Sequence, residues 1–337
     1  MGKYIIKLKP LTPYFFGGEV TFGDGSNQNY LVKSNVLPQP SALLGLVRYE
    51  VLRCNGLLSY SSDKKSKVDE LIGKNGFNLE SPAEAYGAIK SISPIFITDG
   101  NHYYTPMPMD FNHNVSFNSK NRCCYSQDTP KSTPIIDKFS WKTFETYKYW
   151  VGNNDKKVVD SDDIFQFIEQ VGITKNNAND NKEKAFFKQT LIDFKDNYQF
   201  VFTADVDDSN FGKESSVIVP FGGNRSMFEM TIEKIDDTFD WCQVFNNLHR
   251  GGRLLALGDA YLTNDERNAC QFIWGMNTPL KYMTRAGNNG HNWCKPDKSQ
   301  LFHLQSRGSV IFADEEQLNK IKSKESNLNK VGLNLFV

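Results

Sequence analysis

The side chains most able to do chemistry here are 5 histidines, 6 cysteines and a glycine-centred loop. His102, His113, His249, His291 and His303 fall in different segments. None sits in a GxSxG, HExxH or GxxxxGKS pattern that would organise a nucleophile, a zinc ion or a nucleotide phosphate. His291 and Cys294 have an HxxC spacing with His303 nearby, but zinc takes four ligands and no second pair completes the set. Cys54, Cys123, Cys124, Cys242, Cys270 and Cys294 contain no CxxC pair. Adjacent Cys123 and Cys124 would point to opposite sides of a strand, so reduced, packed thiols of a cytoplasmic protein are expected. No catalytic constellation, metal site or cofactor follows from these residues.

Nucleic-acid chemistry is better served. In Gly222-Gly223-Asn224-Arg225-Ser226 the glycines allow close backbone approach to a phosphate, Arg225 is a bidentate donor, and Asn224 and Ser226 are neutral donors. The same residues would also make a plain hairpin turn. A second feature is the start of a helix at Gln39-Pro40-Ser41, whose amides could face a phosphate with Arg48 further along adding charge. A third is the tract from Asn268 to Phe312, where Lys281, Arg285, Lys295, Lys298 and Arg307 oppose only Asp297, 5 − 1 = +4. Trp274, Tyr282 and Trp293 lie among them as rings on which unpaired bases can stack; a solvated charged loop is the alternative. Residues 193–240 carry 11 acids and 4 bases, net −7, a block that would face away from RNA or meet a protein.

These features need a scaffold. At 337 residues, with 39% hydrophobic, 13% aromatic and 23% charged side chains, the chain can build about two domains with real cores. Lys and Arg number 39 and Asp and Glu 39, so any RNA binding must come from local patches. No apolar run of about 18 residues occurs, and Lys7, Lys9 and Pro10 interrupt the first stretch, so neither a signal peptide nor a membrane span is expected. Apolar alternation predicts a strand from Tyr4 to Phe16, and the spacing of Leu43, Leu44, Val47, Val51 and Cys54 predicts a helix over Pro40–Cys54. Asp99-Gly100-Asn101 signals a hairpin. Residues 111–150 carry 6 bases and 3 acids, 6 − 3 = +3, amid asparagines and aromatics. Residues 152–184 read as loop around a short helix, Ser161–Val171, with Ser161 and Asp162 as caps. Strands are predicted at 185–194 and 198–206, on both sides of the glycine loop, at Arg253–Leu262, at Gly308–Asp314 and at Val331–Val337, with a helix at Glu315–Lys324. Both halves end in a glycine loop feeding an apolar strand, the mark of a divergent duplication.

Leu8 to Phe16, Gly23 to Gly25 and Pro40 to Arg48 come in the order seen in a known family: a strand with Pro-Leu and Phe-Phe, a glycine-containing loop, then a helix opened by Pro-Ser and carrying leucines and an arginine. The chain resembles the RAMP proteins of CRISPR systems, most closely the third Cmr subunits of type III-B effector complexes. Phe221 to Ser226 matches the family's first glycine-rich loop and Val331 to Asn334 its final one, there with the single glycine Gly332.

The resemblance implies an α+β fold of two ferredoxin-like (RRM-like, RAMP) domains with antiparallel sheets, 1–238 and 239–337, and a large insertion at about 110–185 in the first. It implies no nuclease activity and capture of the 5′ repeat-derived handle of crRNA. The large polymerase-palm subunit and a backbone RAMP subunit would be the neighbours in a ribonucleoprotein, and the 111–150 segment would be a thumb between handle and guide. The RNA-binding residues expected are Gln39, Ser41, Arg48, Gly222, Gly223, Asn224, Arg225, Ser226, Lys281, Tyr282, Arg285 and Arg307. Two other readings stand beside this one. A RAMP-type endoribonuclease would process guide precursors without metal, with His249 or His303 as acid or base, and a purely architectural subunit would turn its basic tract towards protein acids.

Overall fold

The computed structural model describes residues 1–17, 31–59, 62–83, 85–111, 115–118, 123–126, 147–173, 186–195, 197–283, 288–289, 292–293, 299–323 and 327–337. The chain opens with β1 (Gly2–Pro10), β2 (Leu31–Lys33), α1 (Pro40–Cys54) and α2 (Lys65–Ile72). Short strands follow: β3 (Ile89–Ile92), β4 (Phe96–Thr98), β5 (Tyr103–Pro106), β6 (Val115–Asn118), β7 (Cys123–Ser126), β8 (Tyr149–Gly152) and β9 (Val158–Asp160). After the four-residue α3 (Ser161–Ile164) come β10 (Phe165–Ile173), β11 (Phe186–Phe194), β12 (Gln199–Val206), β13 (Ser216–Pro220) and β14 (Met227–Ile235).

A nine-stranded sheet, ordered β13-β14-β1-β12-β4-β5-β8-β9 with β3 also on β12, carries the molecule. All its pairings are antiparallel. Side chains alternate across it, as strand geometry requires. Ile6, Leu8, Ile97, Phe200 and Phe202 face the apolar stripe of α1 (Leu43, Leu44, Val47, Val51). Ile5, Phe96 and Val201 face the other way, against Trp241, Phe245, Leu255, Val310 and Phe312 from the last hundred residues.

That last part contains α4 (Trp241–Val244), β15 (Arg253–Leu255), α5 (Asn264–Ala269), β16 (Phe272–Trp274), β17 (Asn277–Leu280), β18 (Asn288–Asn289), β19 (Asn292–Trp293), β20 (Phe302–Gln305), β21 (Val310–Phe312) and α6 (Glu315–Ser323). Strands β15-β21-β16 form a three-stranded antiparallel sheet. Leu255 and Val310 point to the large sheet, while Leu254 and Ile311 point the other way onto Leu318 and Ile321 of α6. The result is an α+β fold of antiparallel sheets, with β2 beside β11 as its one parallel strand ladder among the described residues. Among those residues no helix is long and apolar enough to cross a membrane.

Four expectations need correction. The first strand ends at Pro10, which has no N–H to give to a ladder; past it the Leu11 amide makes one more bond, to Met227 O at 2.9 Å, and pairing reappears as a bridge between Tyr14 and Ile192. The helix expected over Ser161–Val171 stops at Ile164, with Asp160 capping the Asp162 amide. Phe165–Ile173 is instead a nine-residue strand, because its Phe, Ile and Val positions pair with Phe186–Phe194 in continuous register and that pairing outweighs a weak local helix preference. The strand expected at Arg253–Leu262 covers only Arg253–Leu255. Val331–Val337 is not a strand but joins the fold through single bridges, Val331 to Ile92 and Phe336 to Ala256. The helix Pro40–Cys54 and the hairpin through Asp99-Gly100-Asn101 form as their sequences predict.

Candidate nucleic-acid interface

Two features far apart in sequence meet at one place. Residues 14–16, just past the proline end of β1, are stitched down on three sides. Tyr14 exchanges backbone hydrogen bonds with Ile192 at 2.7 and 3.0 Å, the Asn35 amide donates to Phe16 O at 2.8 Å, and the Gly223 amide donates to Phe15 O at 2.7 Å. Beneath them the Tyr14 ring lies 4.7 Å from Phe16, 5.5 Å from Phe200 and 5.7 Å from Phe228, centroid to centroid. Burial, and then the nearby Asp193, pushes the Tyr14 hydroxyl far above the ordinary phenol range, so it stays a neutral donor, to Val36 O. Such an aromatic base gives the segment a rigid seat.

On that seat the start of α1 and the loop between β13 and β14 face each other across a groove of about 510 Å³. Phe16, Gly17, Gln39, Ala42, Gly45, Leu46, Tyr49, Pro220, Phe221, Gly222 and Gly223 line it. Pro40 opens α1 at a position whose N–H would be unpaired anyway, and no side chain caps the helix. Glycine is required at 222: its φ is +89°, and a Cβ there would lie 2.8 Å from Phe15 O. Asn224 and Arg225 also have positive φ, 56° and 58°, the sign needed at both central positions of a mirror-image hairpin turn. The Ser226 amide closes that turn onto Gly223 O at 3.1 Å.

The expected RNA-binding residues divide sharply. Gln39, Gly222 and Gly223 line the groove. Arg225, beside them, is exposed and has no hydrogen-bond or ion-pair partner among the described residues. Asn224 donates its side-chain amide to Gln189 Oε1 at 2.8 Å, and Ser226, 2% exposed, donates its hydroxyl to Gly223 O, so both serve the turn. Ser41 is half-buried outside the lining. Arg48 turns to the other flank of α1, donating to Asn75 O at 2.6 Å with its guanidinium 4.8 Å over the Tyr86 ring.

The basic tract is built differently. Lys281 is exposed, but Tyr282 is a core ring, stacked on Phe302 at 5.9 Å and 11° and accepting the Leu79 amide on its hydroxyl. Arg307 is 1% exposed, with its guanidinium on Ile95 O and beside Asp259. Side chains buried this deeply against protein have no open face for RNA. Arg285, Cys294 and His291 lie outside the described residues, as does most of the expected 111–150 thumb; of it the β6–β7 ladder and the ends, Phe111 and Tyr147–Trp150, are described, and Tyr149 and Trp150 belong to β8 of the large sheet. His249 and His303 are both exposed, and neither lines the groove. Among the described residues no group of three or more His, Cys, Asp or Glu is placed to hold a metal. Sequence reasoning missed the ring walls Phe16, Tyr49 and Phe221 and the buried Gln189; the Phe15-Phe16 pair after β1 was the available signal for the first.

The match to known proteins runs through this same architecture. Residues 6–257 match the CRISPR-associated protein family Cas_Cmr3. The chain belongs to that family. The Cas_Cmr3 match includes β1 from Ile6 on, α1, the glycine loop and the whole groove. Two solved structures share the fold. One is a chain of the type III-B Cmr-beta complex bound to cognate target RNA, with TM-score 0.55 over 99% of this chain and 96% of that one at 16% identity. The other is a chain of the same complex bound to cognate target RNA and AMPPnP, with TM-score 0.53 over 98% and 94% at 15% identity. No curated protein matches significantly in sequence.

Proposed function

We propose that this Cas_Cmr3-family chain is a non-catalytic RNA-binding subunit of a type III-B CRISPR effector complex, holding the 5′ repeat-derived handle of crRNA in the groove between α1 and the 221–226 loop. The observation that carries this reading is the convergence of Gln39 and Gly222-Gly223 on one groove, with Arg225 exposed beside it and without a partner among the described residues. The walls are largely rings and aliphatic chains, Phe16, Leu46, Tyr49 and Phe221. They suit the apolar faces of unstacked bases, and Arg225 suits a phosphate. Membership of the Cas_Cmr3 family and the fold shared with chains of RNA-bound Cmr complexes support the assignment.

In this reading the large polymerase-palm subunit and a backbone RAMP subunit complete the site, and the chain comprises two ferredoxin-like domains meeting near residue 238. A processing nuclease would need a histidine at the RNA, and neither His249 nor His303 lines the groove. The test is affinity purification of the chain from its host, with sequencing of co-purified RNA and mass spectrometry of co-purified proteins. Guide RNAs sharing one uniform 5′ tag, together with a palm-domain subunit, are expected. Precursor cut by the purified chain alone would establish the nuclease instead, and absence of RNA would leave an architectural subunit.

A further inference from the structure

We infer that Gln189 is a positioning residue for the RNA contact of Arg225, acting through Asn224. This rests on the groove being an RNA site, and it adds a requirement that reading does not contain. Asn224 and Arg225 stand side by side in the left-handed region, at φ 56° and 58°. Asparagine visits that region with little penalty, but arginine does so only when its surroundings hold it there.

The contacts that hold the loop act at different points. The Gly223 amide is tied to Phe15 O, the Phe221 amide to Ser226 O and the Ser226 amide to Gly223 O. These fix the ends of the turn. The central pair has one side-chain tether among the described residues, the 2.8 Å bond from Asn224 Nδ2 to Gln189 Oε1. Gln189 itself is 5% exposed and lies on β11, opposite Gln170 of β10 and Val32 of β2. A buried amide is costly unless satisfied, and this one meets the loop from a different sheet. The tether therefore fixes the rotation of the turn, and with it the direction in which the exposed Arg225 leaves the backbone. A donor held ready in its bound orientation loses less freedom on binding.

The test measures binding of a labelled single-stranded RNA, carrying the host's repeat-derived 5′ end, to the assembled complex over a range of salt concentrations. Arg225→Ala is expected to weaken binding by about tenfold or more and to lower the log–log salt slope by about one, as loss of one phosphate contact does. Gln189→Leu is expected to weaken binding about threefold to tenfold through the same contact and to lower the slope in the same direction. The double variant should bind no more weakly than Arg225→Ala alone, and Gln189→Glu, which keeps the acceptor, should recover most of the affinity. Asn224→Gly, which tolerates positive φ but lacks the donor, repeats the test without altering a buried side chain. If Arg225→Ala weakens binding while Gln189→Leu and Asn224→Gly do not, or if their effects multiply, Gln189 does not position Arg225. If Arg225→Ala itself has no effect, the groove reading fails first.

Discussion

The 221–226 loop and the 268–312 tract draw on the same residue types, arginine and glycine near aromatic rings, yet the fold puts them to opposite uses. In the loop the backbone is held by internal bonds and Arg225 is left exposed. In the tract Tyr282 and Arg307 are drawn into the interior, where Leu79 meets the Tyr282 hydroxyl and Ile95 O and Asp259 meet the Arg307 guanidinium. Local charge is therefore a poor guide to an RNA surface unless the charges lack protein partners. The difference can be broken or sharpened by substitution.

The largest effect should come from Arg307→Ala. It strands the Asp259 carboxylate, itself 7% exposed, and should cost about 3–5 kcal/mol of stability, as loss of one partner from a buried pair does. Arg225→Ala should stay within about 0.5 kcal/mol of the parent. Equal denaturation midpoints for the two variants would erase the contrast. Next comes Gly222→Ala, where both the φ of +89° and the 2.8 Å approach to Phe15 O resist a Cβ. A loss of about 1–3 kcal/mol is expected, and an unchanged melting temperature would mean the loop yields easily.

The smallest effect belongs to a charge exposed like Arg225 but paired like Arg307. Asp208 accepts from Tyr4 OH at 2.6 Å and lies 3.0 Å from Lys234. The Tyr4 hydrogen bond first, then Lys234, draws its carboxyl down from 3.8 to about 2. A depressed carboxylate stabilises the fold above its unfolded pKa and loses that contribution as pH falls through the folded one. Asp208→Asn should therefore be slightly less stable than the parent at neutral pH, with the gap closing between about pH 4 and pH 2. An acid-denaturation series in which the gap is constant down to pH 2 would reject the pairing.

What could be read in advance was what local pattern controls. Pro40 with leucines at helical spacing is enough for α1, Asp99-Gly100-Asn101 for its hairpin, and Gly222-Gly223 for a turn bearing an exposed arginine. What could not be read depends on partners far along the chain. Arg307 is decided by Ile95, 212 residues away, and Tyr282 by Leu79, 203 away. Phe165–Ile173 becomes a strand because Phe186–Phe194 lies in register beside it. Gln189 gave no signal, since a lone glutamine in an apolar strand announces nothing until Asn224 arrives from 35 residues on.

The most direct measurement is photocross-linking of the assembled complex carrying guide RNA with 4-thiouridine in its 5′ repeat-derived segment, followed by mass-spectrometric mapping of the linked peptides. Cross-links on peptides containing Phe16, Tyr49 or Phe221 to Arg225 are predicted. Cross-links confined to the 268–312 tract, with none on the groove, would contradict the account.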